Sequence, residues 1–330
     1  MKKGWMAFLA LGAALLTALA LCVPMTGAGE GGPEAAGNGA GELKVIATVF
    51  PAFDFARQLA GDAARVRLLL PPGSEVHGYE PTPRDIIEIR EADLFIYVGG
   101  ESDRWVETIL GSMEGGGPKT FRLMDCVSAV EEERSSSMEP ERAHGGREEG
   151  EPEAPELDEH VWTSPRNAAA IAGKLSEALT ALAPEAAGDI RRRTDAYLGE
   201  LADLDAAFAE AVQSGRRDIM VFGDRFPLRY FADAYGLRYD AAFPGCSEDS
   251  EPSVRTVMSL VDLVRKEKIP VVFYLEFSSQ KTADILAEET GAKKRLFHSC
   301  HNVSAEELEA GATYVSLMRG NVEALREALD

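Results

Sequence analysis

Strand-length apolar runs alternate with segments of helical spacing in two series along this chain, and one long stretch that is helical throughout separates them. This constrains the fold more than any other feature, because strand, helix and strand in succession pack as a parallel sheet covered on both faces. In the first series Leu43 to Thr48 is a β-branched-rich strand, and Phe53 to Leu59 resumes at helical spacing after Phe50-Pro51. Val66 to Leu70 reads as a short buried strand stopped by Pro71-Pro72-Gly73. Pro83 opens a helix through Glu91, Leu94 to Val98 is a strand ending in Gly99-Gly100, and Trp105 to Leu110 is helical again. From Asn167 to Val212 the pattern is Ala- and Leu-rich and helical, punctuated near Pro184 and Gly188, with Leu198, Leu201, Leu204 and Phe208 on one face. The alternation then resumes: Ile219 to Phe222 strand, Leu228 to Ala234 helix, Ser253 to Lys268 helix, Val271 to Leu275 strand, and Ser304 to Leu329 helix. Two α/β halves follow from this pattern alone, and the long helical stretch is the candidate connection between them.

The N-terminus carries Lys2 and Lys3, then an apolar run from Trp5 to Leu21 that ends at Cys22, the layout of a secretory signal over residues 1–22. Leu19-Ala20-Leu21-Cys22 resembles a lipobox, although Leu21 is larger than the usual residue there; ordinary cleavage near Ala28 is the alternative. Residues 23–42 are Gly-, Ala- and Glu-rich and read as a flexible tether, which favours a lipid anchor at Cys22. The expectation is an exported protein, a cell-surface lipoprotein or a periplasmic one. The rest of the chain exceeds what one core usually covers, and at 45% hydrophobic residues it has material for two lobes. The net charge of −21 repels nucleic acid and anionic membrane and suits cations. Much of it lies in 130–157, a Glu-, Pro- and Gly-rich segment that reads as a disordered loop within the first half.

The five histidines narrow the chemistry. His77 lies in Pro71-Pro72-Gly73-Ser74-Glu75-Val76-His77-Gly78-Tyr79-Glu80-Pro81, a loop fixed by proline and glycine directly after a strand, where α/β proteins place ligand-binding groups. His160 lies in Leu157-Asp158-Glu159-His160-Val161-Trp162-Thr163-Ser164-Pro165, a second fixed loop leading into a helix. A single loop histidine is more often a surface or capping residue than a ligand. The two motifs together, with the match running from about Val45 to Leu329, resemble the metal-binding solute-binding proteins of bacterial ABC importers, the zinc-uptake component A and manganese-binding lipoprotein family.

That resemblance implies an α/β fold of two Rossmann-like lobes with parallel sheets, over 43–185 and 216–330, joined by a long connecting helix over 186–215. It places a metal between the lobes with two ligands from each. His77 and His160 match the pair from the first lobe. In the second lobe, counting forward from the strand in Val221-Phe222-Gly223-Asp224-Arg225 puts Asp224 at the ligand position with one inserted residue; the alternative is a structural carboxylate paired with Arg225 or capping a helix. The fourth position falls in Phe297-His298-Ser299-Cys300-His301-Asn302, where His298 and His301 compete for it. The family's loop between the first two ligands is thought to collect metal, but here it holds only His144. Glu276, at the end of a strand, is a residue that would orient a ligand. Cys246 and Cys300 are expected to form a disulfide in an exported protein, with Cys300 as a thiolate ligand the competing reading; Cys126 reads as a small buried hydrophobe.

The implied function is extracytoplasmic capture of Zn²⁺ and its delivery to an ABC permease and its ATPase, with no chemistry performed. Zn²⁺ is expected as transported ligand because the candidate donors are rich in imidazole; Mn²⁺ or Fe²⁺ is the alternative, kept open by Asp224. Two other classes compete: a secreted zinc hydrolase with Glu276 as general base, and a surface adhesin on the same fold, a cell-adhesion role that some family members suggest.

Overall fold

The structure, a computed structural model, describes residues 42–74, 78–113, 115–133, 135–138, 156–246 and 251–330. The signal, all of the tether but Glu42, and the middle of the acidic segment lie outside the described residues, as do His77 and His144. Elements follow in the order β1 (Leu43–Ala47), α1 (Phe50–Ala60), β2 (Ala64–Leu68), α2 (Pro83–Arg90), β3 (Leu94–Tyr97), α3 (Arg104–Ser112) and β4 (Lys119–Arg122). Two helices, α4 (Pro165–Leu182) and α5 (Ala187–Ser214), come next. The second series is β5 (Ile219–Phe226), α6 (Arg229–Tyr235), β6 (Arg238–Pro244), α7 (Val254–Glu267), β7 (Val271–Tyr274), α8 (Lys281–Thr290) and β8 (Lys293–Leu296), closed by α9 (Ala305–Glu309) and α10 (Tyr314–Leu329).

Among the described residues there are two parallel sheets, ordered β2-β1-β3-β4 and β6-β5-β7-β8. The orders are equivalent, so each half has a switch point beside its first strand, between β1 and β3 or between β5 and β7. Loops at the carboxyl ends of such strands diverge and leave a crevice. The pleat sorts the side chains: Val45, Ala47, Leu94 and Ile96 enter the large central core, while Ile46 and Phe95 face the core under Ile89 and Val106. In the second sheet Met220, Phe222, Val271 and Phe273 turn inward, and Ile219, Val221 and Val272 turn toward α7 and α8.

The two α/β lobes are joined by the long α5, as the alternation implies. The break before it falls at Pro184, which opens one 3₁₀ turn over Pro184–Ala186, because proline cannot continue α4. Ile190, Tyr197, Leu201, Leu204 and Phe208 form the buried stripe of α5. α10 packs back onto α5 and α1. Its first residue, Tyr314, is fully buried, donates its hydroxyl to the Trp162 carbonyl at 2.7 Å and its N–H to Asp54 at 2.7 Å, and meets Phe55 edge-on at 5.2 Å.

Two expectations are corrected. Ser304 to Leu329 is two helices, because Gly311 takes φ +80° after α9 and Thr313 starts a new capping box with Ser316. β5 continues past Phe222 to Phe226, with a register shift against β6 between Phe222 and Arg225.

Candidate metal site between the lobes

The crevice lies where loops from both sheets meet. A cavity of about 220 Å³ is lined by Ser74 and His160 from the first lobe and by Asp224, Gly245, Glu276 and His301, among others, from the second. Ser74 follows β2, Gly245 follows β6, Glu276 follows β7 and His301 follows β8, while Asp224 lies near the end of β5 and His160 on the loop before α4.

His160 is completely buried. Its Nδ1 lies 3.0 Å from Asp158 Oδ1, and the same oxygen accepts the His160 N–H at 2.8 Å. A carboxylate on Nδ1 fixes the ring and leaves Nε2 as the nitrogen that would take a metal. Burial opposes a proton on this ring, but Asp158, Glu159 and Glu132 together outweigh it and the pKa rises. The loop is held by Trp162, whose Nε1 donates to the Ser299 carbonyl at 2.9 Å, and by Tyr230, which donates to the Asp158 carbonyl at 2.7 Å. Both contacts reach into the second lobe's sequence.

His301 comes to the same place from the other lobe. Its ring centroid lies 5.2 Å from that of His160, nearly perpendicular to it, and 4.8 Å from Trp162. The turn that carries it has Cys300 at φ +61°, a conformation costly for a residue with a side chain and retained where the surroundings impose it. Glu276 imposes it here, accepting the Ser299 N–H at 2.8 Å and the Ser299 hydroxyl at 2.5 Å. Beyond the turn, Asn302 donates to the carbonyls of Pro71 and Ser74 at 2.9 and 3.0 Å. Ser74, the last described residue before His77, therefore stands at the cleft.

The same turn sends His298 elsewhere. Its Nδ1 lies 2.9 Å from the Cys300 nitrogen and 3.4 Å from Glu276 Oε1, its Nε2 faces Glu307 at 3.7 Å, and its ring lines a separate hollow beside α10. Burial would keep it neutral, yet Glu276 and Glu307 raise its pKa well above the usual value, and Glu307 is lowered in return to about 2. The structure thus brings His160 and His301 together and separates His298 from them.

Asp224 lies in the β5 irregularity and lines the cavity. A bulge is the physical form an inserted residue takes in a paired strand. Gly223 makes it possible: a Cβ there would lie 2.5 Å from the backbone of Ala283 in α8. Both Asp224 oxygens already accept backbone N–H groups, from Leu275 at 3.0 Å and Arg225 at 2.9 Å, and burial raises its pKa. This carboxylate holds the turn after β7.

The expected disulfide is absent: Cys246 and Cys300 are both free thiols. Cys300 is sealed inside the His298–His301 turn, whereas Cys246 follows β6 toward the first lobe. One ligand atom each from Glu159, His160 and Cys246 lie within 4.8 Å of one another. Glu159 is buried and accepts the Ser102 N–H at 3.1 Å and its hydroxyl; the Gly99-Gly100 turn admits it, since a Cβ on Gly100 would sit 2.1 Å from its carboxylate. Nothing in the sequence spacing placed Cys246 beside His160, because 86 residues and a change of lobe separate them; the Pro-Gly before the cysteine was the one local signal.

A family model described as zinc-uptake complex component A, periplasmic, matches residues 45–328. The zinc-binding lipoprotein AdcA of Streptococcus pneumoniae (strain ATCC BAA-255 / R6) is 32% identical over 290 residues, which cover 88% of this chain and 56% of that protein. This chain therefore spans little more than half the length of that relative. The high-affinity zinc uptake system protein ZnuA of Bacillus subtilis (strain 168) is 28% identical over 292 residues, 87% of this chain and 88% of that one. Among solved structures, the Zn(II)-bound ZnuA-like domain of Streptococcus pneumoniae AdcA superposes with a TM-score of 0.72 at 29% identity, covering 88% of this chain and 100% of that chain. The metal-dependent lipoprotein YcdH of Bacillus subtilis superposes with 0.73 at 27% identity, covering 87% and 100%.

Proposed function

Because the chain belongs to the zinc-uptake complex component A family, we propose that it captures Zn²⁺ outside the cytoplasm, between its two lobes, and hands the ion to an ABC permease and its ATPase. The observation that carries this reading is the pair His160 and His301, one imidazole from each lobe, 5.2 Å apart across a polar cavity. Zinc takes about four nitrogen, sulfur or oxygen donors in a tetrahedron, and imidazole suits it better than it suits harder cations. His77 is the further donor from the first lobe. Asp158 orients the imidazole of His160, and Glu276 positions His301 through Ser299 rather than acting as a general base. His298 serves the second lobe's structure, paired with Glu276 and Glu307. The protein is tethered to the membrane through a lipid on Cys22; among the described residues no helix is long and apolar enough to cross a membrane.

Equilibrium dialysis of the full chain against Zn²⁺, with Mn²⁺ as competitor, tests this. The expected result is one tight zinc equivalent that excess manganese does not displace, weakened by His160→Ala and by His301→Ala alike. Tight binding that survives both substitutions would show that the ion is held elsewhere.

A further inference from the structure

We infer that Cys246, carried on the turn after β6, is a sulfur ligand to the same ion as His160, so that the second lobe offers a thiolate to the cleft. The inference rests on the reading that the cleft holds a divalent cation. Its basis is the cluster in which ligand atoms of Glu159, His160 and Cys246 lie within 4.8 Å of one another. Two donors on one tetrahedral zinc, with bonds near 2.3 Å to sulfur and 2.0 Å to nitrogen, stand about 3.5 Å apart. The group is therefore little more than an ångström from coordinating geometry.

The turn is built for this approach. Gly245 lies against the His160 ring: a Cβ there would meet His160 Cε1 at 3.3 Å, the Phe226 carbonyl at 3.1 Å and Pro227 Cα at 3.1 Å. A Cβ at this position is tighter than ordinary contact, so the neighbours would have to give by a few tenths of an ångström to admit one. Cys246 N–H donates to Glu132 Oε1 at 2.9 Å, which anchors the turn to the first lobe. Asp158 lies 3.0 Å from the His160 ring, Glu132 accepts the Cys246 N–H and Glu159 belongs to the same cluster, so carboxylates face both donors and a divalent cation offsets their charge. Asp224, the other second-lobe candidate beside His301, has both oxygens engaged by the backbone. A site with imidazole and thiolate donors favours zinc over manganese, which prefers oxygen, so Cys246 is also a specificity-determining residue. Binding forms the metal–sulfur bond and releases the thiol proton to solvent.

Co²⁺ is the probe. The cobalt-loaded full chain should show both ligand-field bands in the visible and a thiolate-to-cobalt charge-transfer band in the near ultraviolet. Cys246→Ser should abolish the charge-transfer band, keep the ligand-field bands and weaken zinc binding by at least about tenfold; Cys300→Ser and Cys22→Ser should keep both bands. Ligand-field bands without charge transfer in the parent, or a charge-transfer band that disappears with Cys300 or Cys22 instead, would overturn the assignment and leave the cleft reading standing. Absence of any cobalt bands and of zinc binding would remove the cleft reading itself. A measurement on the unaltered chain guards against a misfolded variant: zinc should slow alkylation of Cys246 by iodoacetamide, followed by peptide mass spectrometry, and equal labelling with and without zinc would contradict the inference.

Discussion

At the scale of single residues, two buried carboxylates do different work. Asp158 holds the His160 ring through Nδ1 at 3.0 Å. An amide at that position keeps the size but loses the charge and can offer the ring either of two faces, so Asp158→Asn should lower zinc affinity by about 10–100-fold without unfolding the protein. Isothermal titration with a competing chelator reads this, and an unchanged affinity would remove Asp158 from the site. Asp103 accepts the N–H groups of Val98 at 2.6 Å and Gly99 at 3.1 Å. Burial, against those hydrogen bonds and helped by Glu159, raises its pKa from 3.8 to about 6. The native state therefore keeps this proton to higher pH than the unfolded chain does. Its stabilising contribution is complete below about pH 4 and is lost as pH rises through about 6. Asp103→Asn, neutral at every pH, should gain roughly 2–3 kcal/mol on the parent between pH 4 and pH 7 in urea unfolding. Parallel stability profiles would contradict this.

At the scale of elements, the β5 bulge and the serine strap couple the lobes to the cleft. Gly223→Ala places a methyl group 2.5 Å from the α8 backbone. Neither strand nor helix backbone yields cheaply, so the variant should be less stable by about 1–3 kcal/mol in chemical denaturation; an unchanged midpoint would mean that α8 does not lean on this strand. The strap is the start of the acidic segment. Ser135, Ser136 and Ser137 donate hydroxyls to Asp240 of β6 at 2.5, 2.9 and 2.8 Å, and Ser137 adds its N–H at 3.2 Å. Removing the acceptor in Asp240→Ala strands these donors, at a cost of about 1–3 kcal/mol. Limited proteolysis should then cut near Ser135 earlier than in the parent; identical cleavage rates would argue that the strap is not held by Asp240. Elements of this kind were only partly legible beforehand. β1, β3, β5 and β7 stand out as apolar runs because both faces are covered. The edge strands β4 and β8 read Lys119-Thr120-Phe121-Arg122 and Lys293-Lys294-Arg295-Leu296, and charged residues that protect an edge also erase the apolar signal.

At the scale of the whole molecule, the alternation of strand and helix implied two α/β halves, and the motifs around His77 and His160 carried the family resemblance that implied their joining by one long helix. The second lobe's part of the site was harder to read. His298 and His301 are three residues apart, and only the left-handed turn at Cys300 decides which faces His160. Cys246 and Cys300 suggest a disulfide by residue type and compartment, yet one thiol is enclosed in a turn while the other meets Glu159 and His160. Asp224 matches a position in a pattern, but it lies in a bulge and its oxygens are engaged by the N–H groups of Arg225 and of Leu275 after β7, which spacing alone does not reveal. Long-range placement decides each case, and none of it is periodic. The central claim is that one ion is held between the lobes by side chains from both. Anomalous diffraction at the zinc edge from crystals of the zinc-loaded chain tests it most directly. The account predicts a single peak within bonding distance of His160 and His301, with Cys246 sulfur beside it. A peak in the hollow between His298 and Glu307, or on one lobe alone, would contradict it.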